Sequence, residues 1–75
     1  YIDKDGSPLK ATTKIGVANE LYETSFANVY AHNVHEWCAQ AADRIQVQFG
    51  HTIEFSTLEE FVDELIRIKL IMEIN

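Results

Sequence analysis

A chain of 75 residues and 8.6 kDa holds one small domain, residues 1–75, because domains usually run to ~100–150 residues. Its 47% apolar and 24% charged residues are those of a globular chain, and its net charge of −6 excludes the basic stripe that direct binding of nucleic acid or an anionic membrane requires. One cysteine, Cys38, excludes an intrachain disulfide framework and points to a reducing, cytoplasmic setting. No apolar run approaches the ~20 residues of a membrane span and no signal-peptide pattern is present. The first residue is Tyr1 rather than Met, as expected of a fragment or a trimmed chain.

Residues 1–12 predict a β-hairpin. Asp5-Gly6 supplies the positive φ angles of a tight turn between Tyr1-Ile2 and Leu9, and Pro8 keeps the return strand at an edge. Residues 13–24 predict a helix capped by Thr12 or Thr13, with Ile15, Ala18, Leu21 and Tyr22 on one face. Gly16 costs that helix ~1 kcal/mol relative to alanine, and a strand through Ile15, Val17, Asn19 and Leu21 is the alternative. A break near Thr24-Ser25 separates it from the strongest helical signal, residues 26–49. There Phe26, Tyr30, Val34, Trp37, Cys38, Ala41, Ile45 and Phe49 fall in one arc, and Gly50 fits a left-handed stop.

Residues 51–55 alternate and predict a short strand that pairs with the hairpin. Ser56 and Glu59 then read as a capping box opening a C-terminal helix over 57–74, with Leu58, Phe61, Val62, Leu65, Ile66, Ile68 and Met72 along its core stripe. Leu70, Ile71 and Ile74 lie off that stripe, which makes the end of the helix apolar nearly all round. The same residues also alternate with period two, as a terminal strand would, but nothing between Glu59 and Glu73 breaks a helix, and helix is the expectation. The expected fold is α+β and helix-dominated: an N-terminal hairpin, a long central helix, a short strand and a C-terminal helix. Trp37, Phe26, Tyr30, Phe49, Phe61 and Leu65 are the expected core, with Trp37 nearest its centre.

Few chemistries fit. Asp3-Lys4-Asp5-Gly6 resembles the start of a calcium loop, but Pro8 and Lys14 stand where such a loop needs glycine and glutamate. His32, His35, Glu36 and Cys38 are the one candidate metal set, yet on a helix they divide between the solvent side and the apolar stripe. A thiolate pair of Cys38 with His35 lacks a glycine-rich oxyanion loop, and the isolated Gly6, Gly16 and Gly50 make no phosphate cradle. No catalytic residue, metal or cofactor is therefore expected.

Two surfaces read as contact surfaces. Glu54, Glu59, Glu60, Asp63 and Glu64 form an acidic face within residues 51–75, a segment whose charges sum to −4. Solvation and the helix dipole account for such acids on their own, but the face also suits a basic protein surface. Ile66, Leu70, Ile71 and Ile74 form an apolar band that would seek a partner or a second copy unless the hairpin and first helix wrap it. The sequence thus reads as a non-enzymatic interaction module, a small regulator or inhibitor that blocks a protein partner's surface, with homodimerisation as one form of it. Mimicry of nucleic acid against a nuclease or DNA-binding enzyme is the alternative. A metal- or thiol-dependent enzyme built on His32, His35 and Cys38 is the alternative of another class.

Overall fold

The computed structural model describes residues 1–25 and 29–73, and it is helix-dominated with one two-stranded antiparallel sheet. In chain order it contains β1 (Ile2–Asp3), α1 (Lys14–Thr24), α2 (Val34–Phe49), α3 (Leu58–Arg67) and β2 (Ile71–Met72). The two strands join the ends of the chain, pairing Ile2 with Met72 and Asp3 with Ile71.

The N-terminal turn forms where Asp5-Gly6 predicts it. Asp3 Oδ1 accepts the backbone N–H groups of Asp5 and Ser7, each at 2.9 Å, and Gly6 takes φ 85°. The returning chain makes a bridge of Ile2 to Pro8, closed by the Leu9 N–H on the Tyr1 carbonyl and the Asp3 N–H on the Ser7 carbonyl, each at 2.9 Å, so that Pro8 stands where no N–H is needed. The strand partner of β1 is β2, and the expected strand at 51–55 is absent. Ile53 and Phe55 do turn inward against the core, with the Phe55 ring 5.1 Å from that of Phe61. Alternation there reports which side chains are buried, and burial needs no hydrogen-bonded neighbour strand.

In α1, Thr13 is the cap, its hydroxyl oxygen accepting the Gly16 N–H at 3.1 Å. A Cβ on Gly16 would lie 3.0 Å from both Ala11 Cβ and Thr13 Oγ1, so glycine permits the close approach of the preceding loop. Glu20 holds that loop in place, accepting the backbone N–H of Lys10 at 3.1 Å and of Ala11 at 2.9 Å. Val17 and Ala18 are fully buried, and the strand alternative falls.

The central helix starts later than the periodicity implies. Asn33 caps α2 by accepting the Glu36 N–H at 2.8 Å from an extended backbone, φ −159° and ψ 173°. Tyr30 lies before that cap and is 77% exposed, so it is not a core residue; Phe26 lies outside the described residues. An apolar stripe continued past a helix start gives no warning of the cap, but Asn33 followed at the third place by Glu36 was such a signal. The other end is as expected, with Gly50 left-handed at φ 72° and its N–H bound to the Gln46 carbonyl. Phe49 beside it is 47% exposed and stands at the rim of the core rather than inside it.

α3 opens on a capping box one residue later than predicted. Thr57 accepts the Glu60 N–H at 3.1 Å, while Glu60 Oε1 accepts the N–H of Thr57 at 3.1 Å and of Ser56 at 2.7 Å. That register turns Phe61, Val62 and Leu65 fully inward. The helix ends at Arg67, seven residues before its predicted end at 74. Lys69 adopts φ 67°, the Leu70 N–H bonds back to the Leu65 carbonyl at 2.9 Å and the Lys69 N–H to the Ile66 carbonyl at 3.1 Å. This is a Schellman stop with lysine where glycine is usual.

α1 packs against both other helices, most extensively against α3. The core is centred on Val17, Cys38, Phe61 and Val62, which are fully buried, rather than on Trp37. Trp37 lies beside them with its ring edge-to-face with Tyr22 and with Phe61, at centroid distances of 6.3 Å each.

Candidate functional site: an acidic depression and an apolar groove

The first turn of α3 carries Glu59 and Glu60, where carboxylates meet the positive end of the helix dipole. Glu54 from the preceding loop joins Glu60, Asp63 and Glu64 around a shallow depression of about 230 Å³. Four of the five predicted acids are thus brought together, and Glu59 is exposed on the same turn.

Much of that charge is engaged within the protein. Glu60 is committed to the cap. Asp63 pairs with Lys14 of α1 at 2.5 Å, and that hydrogen bond raises the lysine's pKa. Glu64 accepts from Arg67 Nε at 2.6 Å, which holds its carboxyl below the usual range against a smaller opposing effect of desolvation. Arg67 also donates to the Thr52 carbonyl at 3.3 Å, tying the loop to the helix. Glu54 and Glu59 extend to solvent. Sequence spacing shows the acids on one face but not these partners, which come from α1 and from a helical turn whose end it misplaced.

The apolar band does not persist as an outer face. Ile71 is 3% exposed, while Ile66 and Leu70 are half-buried and packed on the core; Ile74 lies outside the described residues. The turn at Lys69 rotates these side chains inward, so the N-terminal segment and the helices cover what a continued helix would have left bare.

His32, His35 and Cys38 diverge. His32 Nδ1 lies 3.5 Å from Glu36 in the open, and His35 lies against Phe55 with Nε2 3.4 Å from the Ser56 carbonyl. Cys38 is sealed in the core, and burial pushes its thiol up to about 11, away from the thiolate a nucleophile requires. Among the described residues, no three His, Cys, Asp or Glu side chains are placed to hold a metal ion. No helix among them is long and apolar enough to cross a membrane.

A second concavity was not foreseen. A groove of about 290 Å³ opens between the N-terminal turn, all three helices and β2, with Trp37, Ile45, Phe49 and Leu65 among its walls. Asp3, Lys4 and Asp5 form one side of it, and Lys4 Nζ sits 5.5 Å from the centroid of the Phe49 ring. Its walls come from segments distant in sequence, and the one local hint was an apolar Phe49 at the last turn of a helix. Comparison with family models, with curated proteins and with solved structures finds no match for this chain.

Proposed function

We propose that this chain is a small, non-enzymatic interaction module that blocks a basic surface on a protein partner. The observation that carries the reading is the convergence of Glu54, Glu60, Asp63 and Glu64 on one depression beside exposed Glu59, in a chain of net charge −6. The internal bonds of Glu60, Asp63 and Glu64 hold these carboxylates in place, so little side-chain entropy is lost when a cationic partner arrives. Complementary charge of this kind mainly sets the rate and selectivity of association. The buried, protonated thiol of Cys38 is compatible with a cytoplasmic setting and offers little to thiol chemistry.

The test is a double reversal, Glu54→Lys with Glu59→Lys, which leaves the cap and both ion pairs intact. Immobilised wild-type and variant proteins are exposed to a cell lysate, and bound proteins are eluted in a salt gradient. A basic partner retained by wild type is expected to elute from the variant at clearly lower salt, with the circular dichroism of the two proteins unchanged. Identical elution removes the acidic face from the function. Release of the partner by an added DNA duplex would favour the reading as a nucleic-acid mimic.

A further inference from the structure

The groove beside α2 has electrostatics of its own. The last turn of α2 carries no basic residue, so the negative pole of that helix, at Phe49 and Gly50, is not offset from within. Asp3 and Asp5 add carboxylates at the same edge of the groove. Lys4 lines the same edge, and its ammonium group sits over the Phe49 ring. An ammonium group on an aromatic ring at the mouth of an apolar groove is thus already favoured here. With a volume of about 290 Å³ and one side open to solvent, the space has room for a large side chain.

We infer that this groove is an anchor site for a protein segment that presents a large apolar side chain next to a lysine or arginine. The apolar side chain enters against Trp37, Ile45 and Leu65, and the neighbouring cation takes the place of Lys4 on Phe49, facing Asp5. Asp5 is the freer of the two aspartates, since Asp3 Oδ1 already accepts two backbone N–H groups. The groove shares no wall residue with the acidic depression on α3, so the inference stands apart from the function proposed above.

The probe is the acetylated and amidated tripeptide Lys-Phe-Lys, with Lys-Ala-Lys and Glu-Phe-Glu as controls. Trp37 is the only tryptophan and lines the groove, so its emission reports occupancy, with amide chemical shifts locating the site. Saturable binding of Lys-Phe-Lys at ~1 mM is expected, at least ~10-fold tighter than either control. Phe49→Ala, at a half-exposed position, should weaken it by ~5-fold. Lys4→Ala should tighten it by ~2- to 5-fold by removing the resident cation. Glu59→Lys should leave it unchanged, whereas that position matters to the acidic face. Equal responses to the three peptides, or tightening that fails to appear in Lys4→Ala, would overturn the inference. So would shifts confined to α3's first turn.

Discussion

Two helices of this protein end in the same backbone conformation for different reasons. α2 stops at Gly50, φ 72°, and a Cβ there would meet nothing within 4 Å. α3 stops at Lys69, φ 67°, where a side chain pays the left-handed penalty of ~1–2 kcal/mol. The first stop is local, because glycine removes the steric objection and the chain leaves the helix unaided. The second is imposed from outside. Reversing the chain at Lys69 places Leu70 against the core, buries Ile71 and pairs Ile71–Met72 with Ile2–Asp3. A helix continued through the same residues would have left those side chains around its full circumference. Tertiary burial therefore outweighs both the strain at Lys69 and the helical propensity of its neighbours.

The contrast can be broken at its anchor. Ile71→Ala removes the buried side chain that makes the reversal worthwhile and should cost ~2–5 kcal/mol in urea unfolding. Amide exchange at the β1–β2 pair should quicken at the same time. A loss below ~1 kcal/mol would mean that the strand is not what holds the stop.

Exchanging the two stops sharpens it. Gly50→Ala should destabilise the domain by ~1 kcal/mol and Lys69→Gly should stabilise it by up to ~1 kcal/mol, both read as shifts of the urea midpoint at constant slope. Destabilisation by Lys69→Gly would show that the lysine side chain contributes more there than its backbone strain costs.

The smallest effect separates the two readings of the start of α3. Thr57→Ala should cost ~1 kcal/mol, the usual worth of a cap, and Ser56→Ala only a few tenths, because Ser56 contributes its backbone N–H to Glu60 rather than its hydroxyl. Equal losses would restore Ser56 as the cap.

Legibility followed the range of the forces involved. Thr13 and Gly50 act within one turn of their own helices; residue type and spacing pointed to Gly50 outright and to Thr13 as one of two adjacent threonines. The core stripe Phe61, Val62, Leu65 was readable because helical periodicity alone selects it. The start of α2 was missed although its signal, Asn33 with Glu36, lies in the sequence: an apolar stripe running back through Tyr30 to Phe26 masked it. The capping box was read one residue early, at Ser56 with Glu59, and the inward set of α3 puts it at Thr57 with Glu60. Of the candidate surfaces, the acids were legible as a face, but their partners Lys14 and Arg67 were not. The groove was invisible, since its walls meet only when the two terminal segments and all three helices pack together.

Three helices around an apolar core, the stop of α2 at Gly50 and a strongly acidic surface were all legible in the residues alone. These follow from side-chain size, periodicity and charge, which act over a few residues or over the whole surface at once. Packing was needed to make residues 71–72 a strand, to turn Leu70 and Ile71 inward, and to leave Tyr30 exposed and Phe49 at the rim. Residues 66–72 carry helical and alternating patterns together, so local preference is nearly balanced. The outcome then rests on which arrangement buries more apolar surface, a quantity that depends on every other element being in place.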